Sequence, residues 1–206
     1  MGDFPSPCDF DILIGLTAIM NNSTSLYFIA LLPPQEIQDY ANGVKQYFAE
    51  RYNSSHAQKS PPHITLQAPF EWDNESVVVL EQCLSNFAGT RQSIPIMLSG
   101  FGAFAPRVIY INVVKTAELL SLQADLSDRA IQELGIVDPM AKQRPYAPHM
   151  TVAFKDLTKQ NFKAAWPEFQ RKSVQFEFSA DYLTLLVHNN GRWNVSREFP
   201  FLLACS

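Results

Sequence analysis

The spacing of apolar residues changes several times along this chain, and each change predicts the end of one element and the start of another. A continuous apolar run over 26–32 stops at Pro33-Pro34 and predicts a buried strand. The apolar residues that follow recur three or four positions apart, which predicts an amphipathic helix. A polar loop over 53–60 then leads through Pro61-Pro62 into a second extended segment, which begins at His63.

The second half of the chain repeats this order of patterns. An apolar strand pattern over 108–114 precedes a helical pattern that Thr116 can cap, and a loop over 138–148 leads to His149. Strand, helix, loop and an extended segment that starts at a histidine therefore occur twice.

Two copies of one unit predict a single bilobal domain with pseudo-two-fold symmetry. We expect this domain to span 26–206, with the lobe repeats centred on His63 and His149. Residues 1–25 match none of these patterns, and we expect them to form an N-terminal extension. It is a flexible segment, a lid, or a stretch added by an upstream translation start.

A helix is also predicted after each of the two histidine segments. The first covers 77–88 and ends at Gly89. Thr158 can cap the second, and Pro167 should terminate it, because proline lacks the N–H group that a helix interior needs.

Three further segments have strand patterns. Residues 94–98 are mainly apolar, and Pro95 favours an edge position because it cannot donate to a strand ladder. Apolar and polar residues alternate over 174–178, and a hairpin is predicted over 182–199 around Asn189-Asn190-Gly191. Helices together with mainly antiparallel strands indicate an α+β fold.

The two histidine segments have the same residue types in the same order. They are Pro62-His63-Ile64-Thr65-Leu66 and Pro148-His149-Met150-Thr151-Val152, and two of the four histidines thus share one pattern. In an extended strand, the histidine and the threonine project from one face and the apolar residues from the other. The pattern predicts two matched half-sites, each attached to a core.

Two such half-sites can perform acid-base chemistry on a phosphodiester. The pseudo-two-fold relation places the two motif strands side by side or across a central cleft, with the helices packed outside. One imidazole can take a proton from the attacking oxygen while the other gives one to the departing oxygen, since histidine titrates near pH 6.5. Thr65 and Thr151 would bind the non-bridging oxygens. We expect a bell-shaped pH profile with both limbs near neutrality.

A second group of polar side chains brackets the second motif. Lys142, Arg144, Tyr146 and Lys155 could contact phosphate or stack on a base, or they could form an ordinary solvated face. His56, in a polar loop, is predicted to be surface, and His188, at a hairpin end, to be structural or to line the cleft.

Composition limits the choice of ligand and compartment. The formal net charge is −4, with no clustered basic stripe, so a nucleotide ligand should be small or the end of a strand. Three widely spaced cysteines predict free thiols, and the apolar stretch 12–20 is short for a membrane span and follows acidic residues. These features predict a cytoplasmic protein without a membrane segment, and we expect a monomer.

The two motifs resemble those of the two-histidine phosphoesterases, a family that includes bacterial 2',5' RNA ligase proteins and RNA 2',3'-cyclic phosphodiesterases. The motif histidines lie 86 residues apart, and Ala68-Pro69-Phe70 after the first motif looks like the bacterial ligase-like branch. The resemblance covers about 26–199. It implies a bilobal α+β fold, His63 and His149 as acid and base, Thr65 and Thr151 as phosphate ligands, and no metal or other cofactor.

By this resemblance, the chain opens 2',3'-cyclic phosphates at RNA ends or on nucleotides and leaves 2'-phosphates. Two alternatives remain open, a nucleotide-binding module with little turnover and a 2',5' RNA ligase. Metal binding is disfavoured by the residues themselves, because neither motif has a second histidine or a cysteine at ligand spacing.

Overall fold

The computed structural model describes residues 23–138 and 145–202. Residues 1–22 of the predicted extension, and the predicted contact residues Lys142 and Arg144, lie outside the described residues. The described part contains eight strands and four α-helices: β1 (Thr24–Leu31), α1 (Gln35–Tyr52), β2 (Ile64–Asp73), α2 (Val77–Ala88), β3 (Ile94–Phe104), β4 (Val108–Val113), α3 (Ala117–Leu134), β5 (His149–Ala153), α4 (Lys159–Phe169), β6 (Gln175–Ala180), β7 (Tyr182–Asn189) and β8 (Arg192–Pro200).

The strands form two four-stranded sheets, with the orders β2-β1-β7-β8 and β5-β4-β3-β6. Every strand pair within these sheets is antiparallel. In each sheet the motif strand is an edge strand and pairs with the strand before it in sequence. These pairs are β2 with β1 and β5 with β4, and one α-helix connects the two strands of each pair. The predicted α+β class, with antiparallel sheets and a duplicated arrangement, is confirmed.

The main core receives side chains from both sheets and all four helices, and Phe28, Ala30 and Leu186 form a smaller separate cluster. The apolar residues of the motif strands belong to the main core, since Ile64, Leu66, Met150 and Val152 are buried. Burial of these alternate residues fixes the register of each strand and turns its histidine and threonine to the opposite face.

The caps and the final turn were predicted correctly. The Thr116 hydroxyl accepts from Leu119 N at 3.2 Å, and the Thr158 hydroxyl accepts from Asn161 N at 3.1 Å. Asn190-Gly191 joins β7 to β8 with positive φ at both residues, the backbone that a two-residue hairpin turn requires.

The predicted edge position of Pro95 is wrong, because β3 lies inside its sheet. Pro95 pairs with Ser179 of β6, while the register between β3 and β4 begins only at Leu98. The proline therefore lies beyond the part of β3 that β4 covers, where a missing N–H breaks no ladder on that side.

The predicted helix end at Pro167 is also wrong, since α4 continues to Phe169. Phe169 is buried in the core, and Gln170 N donates to Trp166 O at 2.9 Å. Packing of the last turn thus outweighs the hydrogen bond that proline cannot make.

Two smaller points concern the chain's first part and its helices. Strand β1 already begins at Thr24, inside the predicted extension, where Thr24 pairs with Asp73. None of the helices that the structure describes has the length and apolar character needed to cross a membrane.

Candidate functional site

The two motif strands contribute to one cleft with a volume of about 510 Å³. His63, Thr65, His149 and Thr151 all line it, so the structure brings together residues from two different sheets: Thr65 lies in β2, His63 directly precedes β2, and His149 and Thr151 lie in β5. Its remaining walls include aromatic residues and two exposed lysines, Lys59 and Lys155.

Both histidine rings are held by the same kind of hydrogen bond. His63 Nδ1 lies 2.7 Å from Pro61 O, and His149 Nδ1 lies 2.7 Å from Ala147 O. A carbonyl oxygen can only accept, so each Nδ1 carries the proton and donates. In the neutral ring, Nε2 is then a proton acceptor, and in the imidazolium it is a donor. Either histidine can therefore act as base or acid through Nε2.

Aromatic rings pack against both imidazoles. The His63 ring lies 4.8 Å from the Phe28 ring, between centroids, and the His149 ring lies 5.0 Å from Phe104 and 5.1 Å from Tyr110. These contacts restrict the orientation of each imidazole and remove water from one side of it.

Removal from water makes both histidines less basic. Burial lowers the pKa of His63 to about 4, with smaller contributions in the same direction from the charges of Lys45 and His149 and an opposing one from the Pro61 hydrogen bond. Burial also lowers the pKa of His149 from 6.5, against the bond to Ala147. Both rings are thus mainly neutral at pH 7, and an anionic phosphodiester would favour the protonated form.

Lys45 lies behind His63 and was not singled out by the sequence. It is on α1, only 1% exposed, and its Nζ donates to Ser60 O at 2.8 Å. Burial lowers the pKa of Lys45 to about 8. The bond fixes the backbone next to Pro61, whose carbonyl orients His63.

A short 3-10 helix, His56–Lys59, forms one wall of the cleft. The Asp156 carboxylate holds its start, accepting from Ser54 Oγ at 2.8 Å, Ser55 N at 2.9 Å and His56 N at 2.8 Å. The His56 ring packs edge-on against Phe154 at 5.0 Å. His56 therefore lies in the cleft wall, where it is half-buried.

The other predicted contact residues lie in different places. Lys155 lines the cleft, with its Nζ 5.5 Å from the Phe154 ring centroid. The Tyr146 hydroxyl donates to Thr65 O at 2.9 Å, which ties the segment before β5 to the first motif strand. Lys142 and Arg144 have no described position.

Three residues line the cleft although no sequence pattern predicted it, namely Trp193, Phe28 and Lys59. Trp193 reaches the cleft only because the β7-β8 hairpin joins the sheet beside β1, a pairing that no local pattern encodes. Phe28 appeared as one more apolar residue of a buried strand. Lys59 lay in a polar loop without a motif of its own.

Metal ligands are not clustered in the part of the chain that the structure describes. Residues 23–138 and 145–202 contain no group of three or more histidine, cysteine, aspartate or glutamate side chains that could hold a metal ion.

Sequence comparison finds related proteins over most of the chain. A model of the 2'-5' RNA ligase superfamily matches residues 33–192. A protein of Geobacillus sp. strain WCH70, provisionally named a phosphoesterase, is 30% identical over 176 residues, which cover 84% of this chain and 94% of that protein. One from Geobacillus kaustophilus strain HTA426, with the same provisional name, is 31% identical over 176 residues, with the same shares.

Solved structures with this fold include TT0787 of Thermus thermophilus and LigT of E. coli in its apo form. TT0787 has a TM-score of 0.62 and 18% identity, covering 85% of this chain and 97% of that one. Apo LigT has a TM-score of 0.57 and 17% identity, covering 86% and 98%. LigT has also been solved in complexes with 3'-AMP, with NADP+ and with ATP. At these identities, the likeness concerns the fold.

Proposed function

The chain belongs to the 2'-5' RNA ligase superfamily, and from this membership we propose that it is a phosphodiesterase that opens 2',3'-cyclic phosphates at RNA ends or on nucleotides, leaving 2'-phosphates. One observation carries the proposal. His63 and His149, from two sheets, line one cleft with the same Nδ1–carbonyl bond, which leaves both Nε2 atoms for proton transfer.

The reaction uses the two histidines on opposite sides of the phosphorus atom. A neutral imidazole takes a proton from water through Nε2 as the water oxygen forms its bond to phosphorus. The bond from phosphorus to O3' breaks, and the other histidine, as imidazolium, gives its Nε2 proton to O3'. The products are a 3'-hydroxyl and a 2'-phosphate.

The threonines and lysines of the cleft supply the electrostatic part of the mechanism. The Thr65 and Thr151 hydroxyls donate to the non-bridging oxygens, where negative charge increases in the transition state. Lys59 and Lys155 add positive potential at the cleft wall. All these groups come from one chain, so we propose a monomer as the active form. We also place the enzyme in the cytoplasm, where the buried thiol of Cys83 stays reduced.

A nucleotide-binding module is the second candidate. LigT, which shares the fold, has been solved with 3'-AMP, NADP+ and ATP. Such a module would use the same cleft without turnover. A 2',5' RNA ligase would open the same cyclic phosphate with a 5'-hydroxyl as the nucleophile in place of water, so that the bond from phosphorus to O3' breaks and a 2',5' phosphodiester forms.

The test is hydrolysis of 2',3'-cyclic nucleotides and of a short RNA with a cyclic end, in EDTA. We expect His63→Ala and His149→Ala each to lower turnover by roughly 10²- to 10⁴-fold, the usual contribution of a general acid or base. The control is Lys163→Ala, because Lys163 is exposed on α4 and lies outside the cleft lining. It should retain activity within a factor of about two, in line with other surface substitutions.

The products and the fold of each variant complete this experiment. Exclusive formation of the 2'-phosphate, with unchanged circular dichroism in both variants, would support the enzyme. Near-wild-type turnover in either histidine variant would exclude the two-histidine mechanism. Tight nucleotide binding without turnover by the wild type would favour the binding module.

A further inference from the structure

A second groove, with a volume of about 550 Å³, opens beside the cleft that contains the two histidines. Lys59, Ser60 and Trp193 line both, so the two cavities adjoin at these three residues. Beyond this junction, the groove runs between the start of β8 and the exposed face of α1. We name it the Arg192 groove, after the cation at its outer end. It is lined by Asn42, Gln46, Gln58, Lys59, Ser60, Pro61, Arg192, Trp193 and Asn194.

The lining of the Arg192 groove has the opposite charge balance to the chain. The whole sequence has 20 acidic and 16 basic residues. The described residues that line the groove include two cations, Lys59 and Arg192, and no carboxylate. The other polar groups are mainly side-chain amides, which can donate to phosphate and sugar oxygens or to base edges. This composition fits a short anionic strand better than a cation or an apolar ligand.

The groove's polar side chains are partly fixed in place. Arg192 Nη2 donates to Gln58 O at 3.0 Å, which uses one of the five donors of the guanidinium. Gln58 Nε2 donates to Gln46 Oε1 at 2.6 Å, and Gln46 in turn donates to Glu50 on the next turn of α1. A ligand phosphate therefore meets a guanidinium that is already oriented, which lowers the entropic cost of binding.

Trp193 stands at the junction of the two cavities. Its ring packs edge-on against Phe28 at 4.6 Å, and Phe28 lies 4.8 Å from the His63 ring. His188 supports the indole from another side at 5.0 Å. A half-buried indole held between other rings is a rigid surface on which a base can stack.

We propose that the Arg192 groove binds the nucleotide that precedes the cyclic-phosphate end of an RNA, with its base near Trp193 and the linking phosphate near Lys59 and Arg192. The inference rests on the proposed function and deepens it. It makes the substrate class an oligonucleotide end, for which a free cyclic nucleotide is a truncated substrate.

The first arm of the test compares two substrates of the same chemistry, 2',3'-cyclic AMP and the dinucleotide ApA that ends in a 2',3'-cyclic phosphate. We expect the wild type to have the higher kcat/KM on the dinucleotide. Arg192→Ala should lower kcat/KM on the dinucleotide about tenfold, which corresponds to about 1.4 kcal/mol. It should leave kcat/KM on the mononucleotide unchanged. Raising the salt concentration should narrow the wild-type preference, because part of it comes from a phosphate contact.

The control variant is Arg171→Ala. Arg171 is an exposed arginine after α4, donates to Pro167 O and does not line the groove. Arg171→Ala removes the same charge and should leave kcat/KM unchanged on both substrates. An equal loss on both substrates in Arg192→Ala, or no dinucleotide preference in the wild type, would overturn the proposal.

The second arm separates failure of the groove from failure of the proposed function. It measures equilibrium binding of ApA with a terminal 3'-phosphate, and of 3'-AMP, which do not require turnover. Suppose that no cyclic phosphate is hydrolysed, but Arg192→Ala still lowers the affinity for the dinucleotide and not that for 3'-AMP. The binding role of the groove is then supported, and the proposed hydrolase activity is excluded. Equal affinity of wild type and Arg192→Ala for the dinucleotide would contradict the groove.

Discussion

The imidazoles of His63 and His149 have the same tautomer, although their motif strands lie in separate sheets. In each case the accepting carbonyl belongs to the residue two positions earlier, and a proline lies between. A proline restricts the residue before it to extended backbone conformations. The leading proline of the motif thus helps to aim the carbonyl of Pro61 or Ala147 at the ring. The sequence showed that both motifs begin with a proline, but not that this proline helps to orient the carbonyl that accepts from Nδ1.

The lowered histidine pKa values change the expected pH dependence. A base must be neutral and an acid protonated, so kcat/KM is highest between the two pKa values of the free enzyme. Burial lowers the pKa of His63 to about 4 and that of His149 below 6.5. We therefore expect an acid limb near pH 4 and an alkaline limb below pH 6.5, more acidic than the sequence analysis predicted.

The measurement is kcat/KM from pH 3.5 to 9 on a cyclic nucleotide, and Lys45 provides a test of its origin. The charge of Lys45 lowers the pKa of His63, so Lys45→Met should raise that pKa and move the acid limb to higher pH. Lys163→Met, at an exposed site on α4, is the matched control. An acid limb that stays in place in Lys45→Met would show that the charge of Lys45 does not contribute to this limb.

At the scale of elements, local patterns predicted most helices and strands. The apolar runs, the caps at Thr116 and Thr158 and the Asn-Gly turn each depend on residues close in sequence. The order of strands in the sheets does not. Strand β1 pairs with β7, and this distant pairing brings Trp193 to the cleft. Sequence patterns therefore located the four motif residues but not the walls around them.

The two threonine caps allow a prediction about stability that is independent of the site. Loss of an N-cap hydroxyl costs about 1 kcal/mol. We expect Thr116→Ala and Thr158→Ala each to lower the free energy of unfolding by about that amount, measured by urea denaturation, and to leave activity unchanged. Thr116→Ser retains the hydroxyl and should retain most of the stability. Equal losses in Thr116→Ala and Thr116→Ser would mean that the hydroxyl is not the stabilising group.

At the scale of the whole molecule, two sets of hydrogen bonds join the halves near the cleft. Tyr146, before the second motif, donates to Thr65 O in the first motif. Asp156, after the second motif strand, accepts from three groups in the loop that precedes the first motif. The sequence indicated two halves, but not these reciprocal contacts, because each partner lies far away along the chain. Tyr146 was accordingly predicted as a substrate contact from its position beside His149.

Replacing Tyr146 by phenylalanine separates the structural role from substrate contact. Burial raises the pKa of the Tyr146 hydroxyl, which therefore stays a protonated donor at neutral pH. Removal of the hydroxyl takes this hydrogen bond away from the Thr65 carbonyl, and we therefore expect the free energy of unfolding to fall by about 1–3 kcal/mol. Because that carbonyl belongs to a residue that lines the cleft, turnover should fall by a few-fold, with KM nearly unchanged.

Tyr182→Phe is the control, since Tyr182 is 50% exposed on β7 and its hydroxyl can bond to water. It should alter neither unfolding nor turnover. If Tyr146 instead acts on substrate, Tyr146→Phe would raise KM for a cyclic nucleotide and leave urea unfolding unchanged. Loss of stability without a change in KM would assign the residue to the junction between the two halves, where it holds one motif strand in register with the segment that leads into the other.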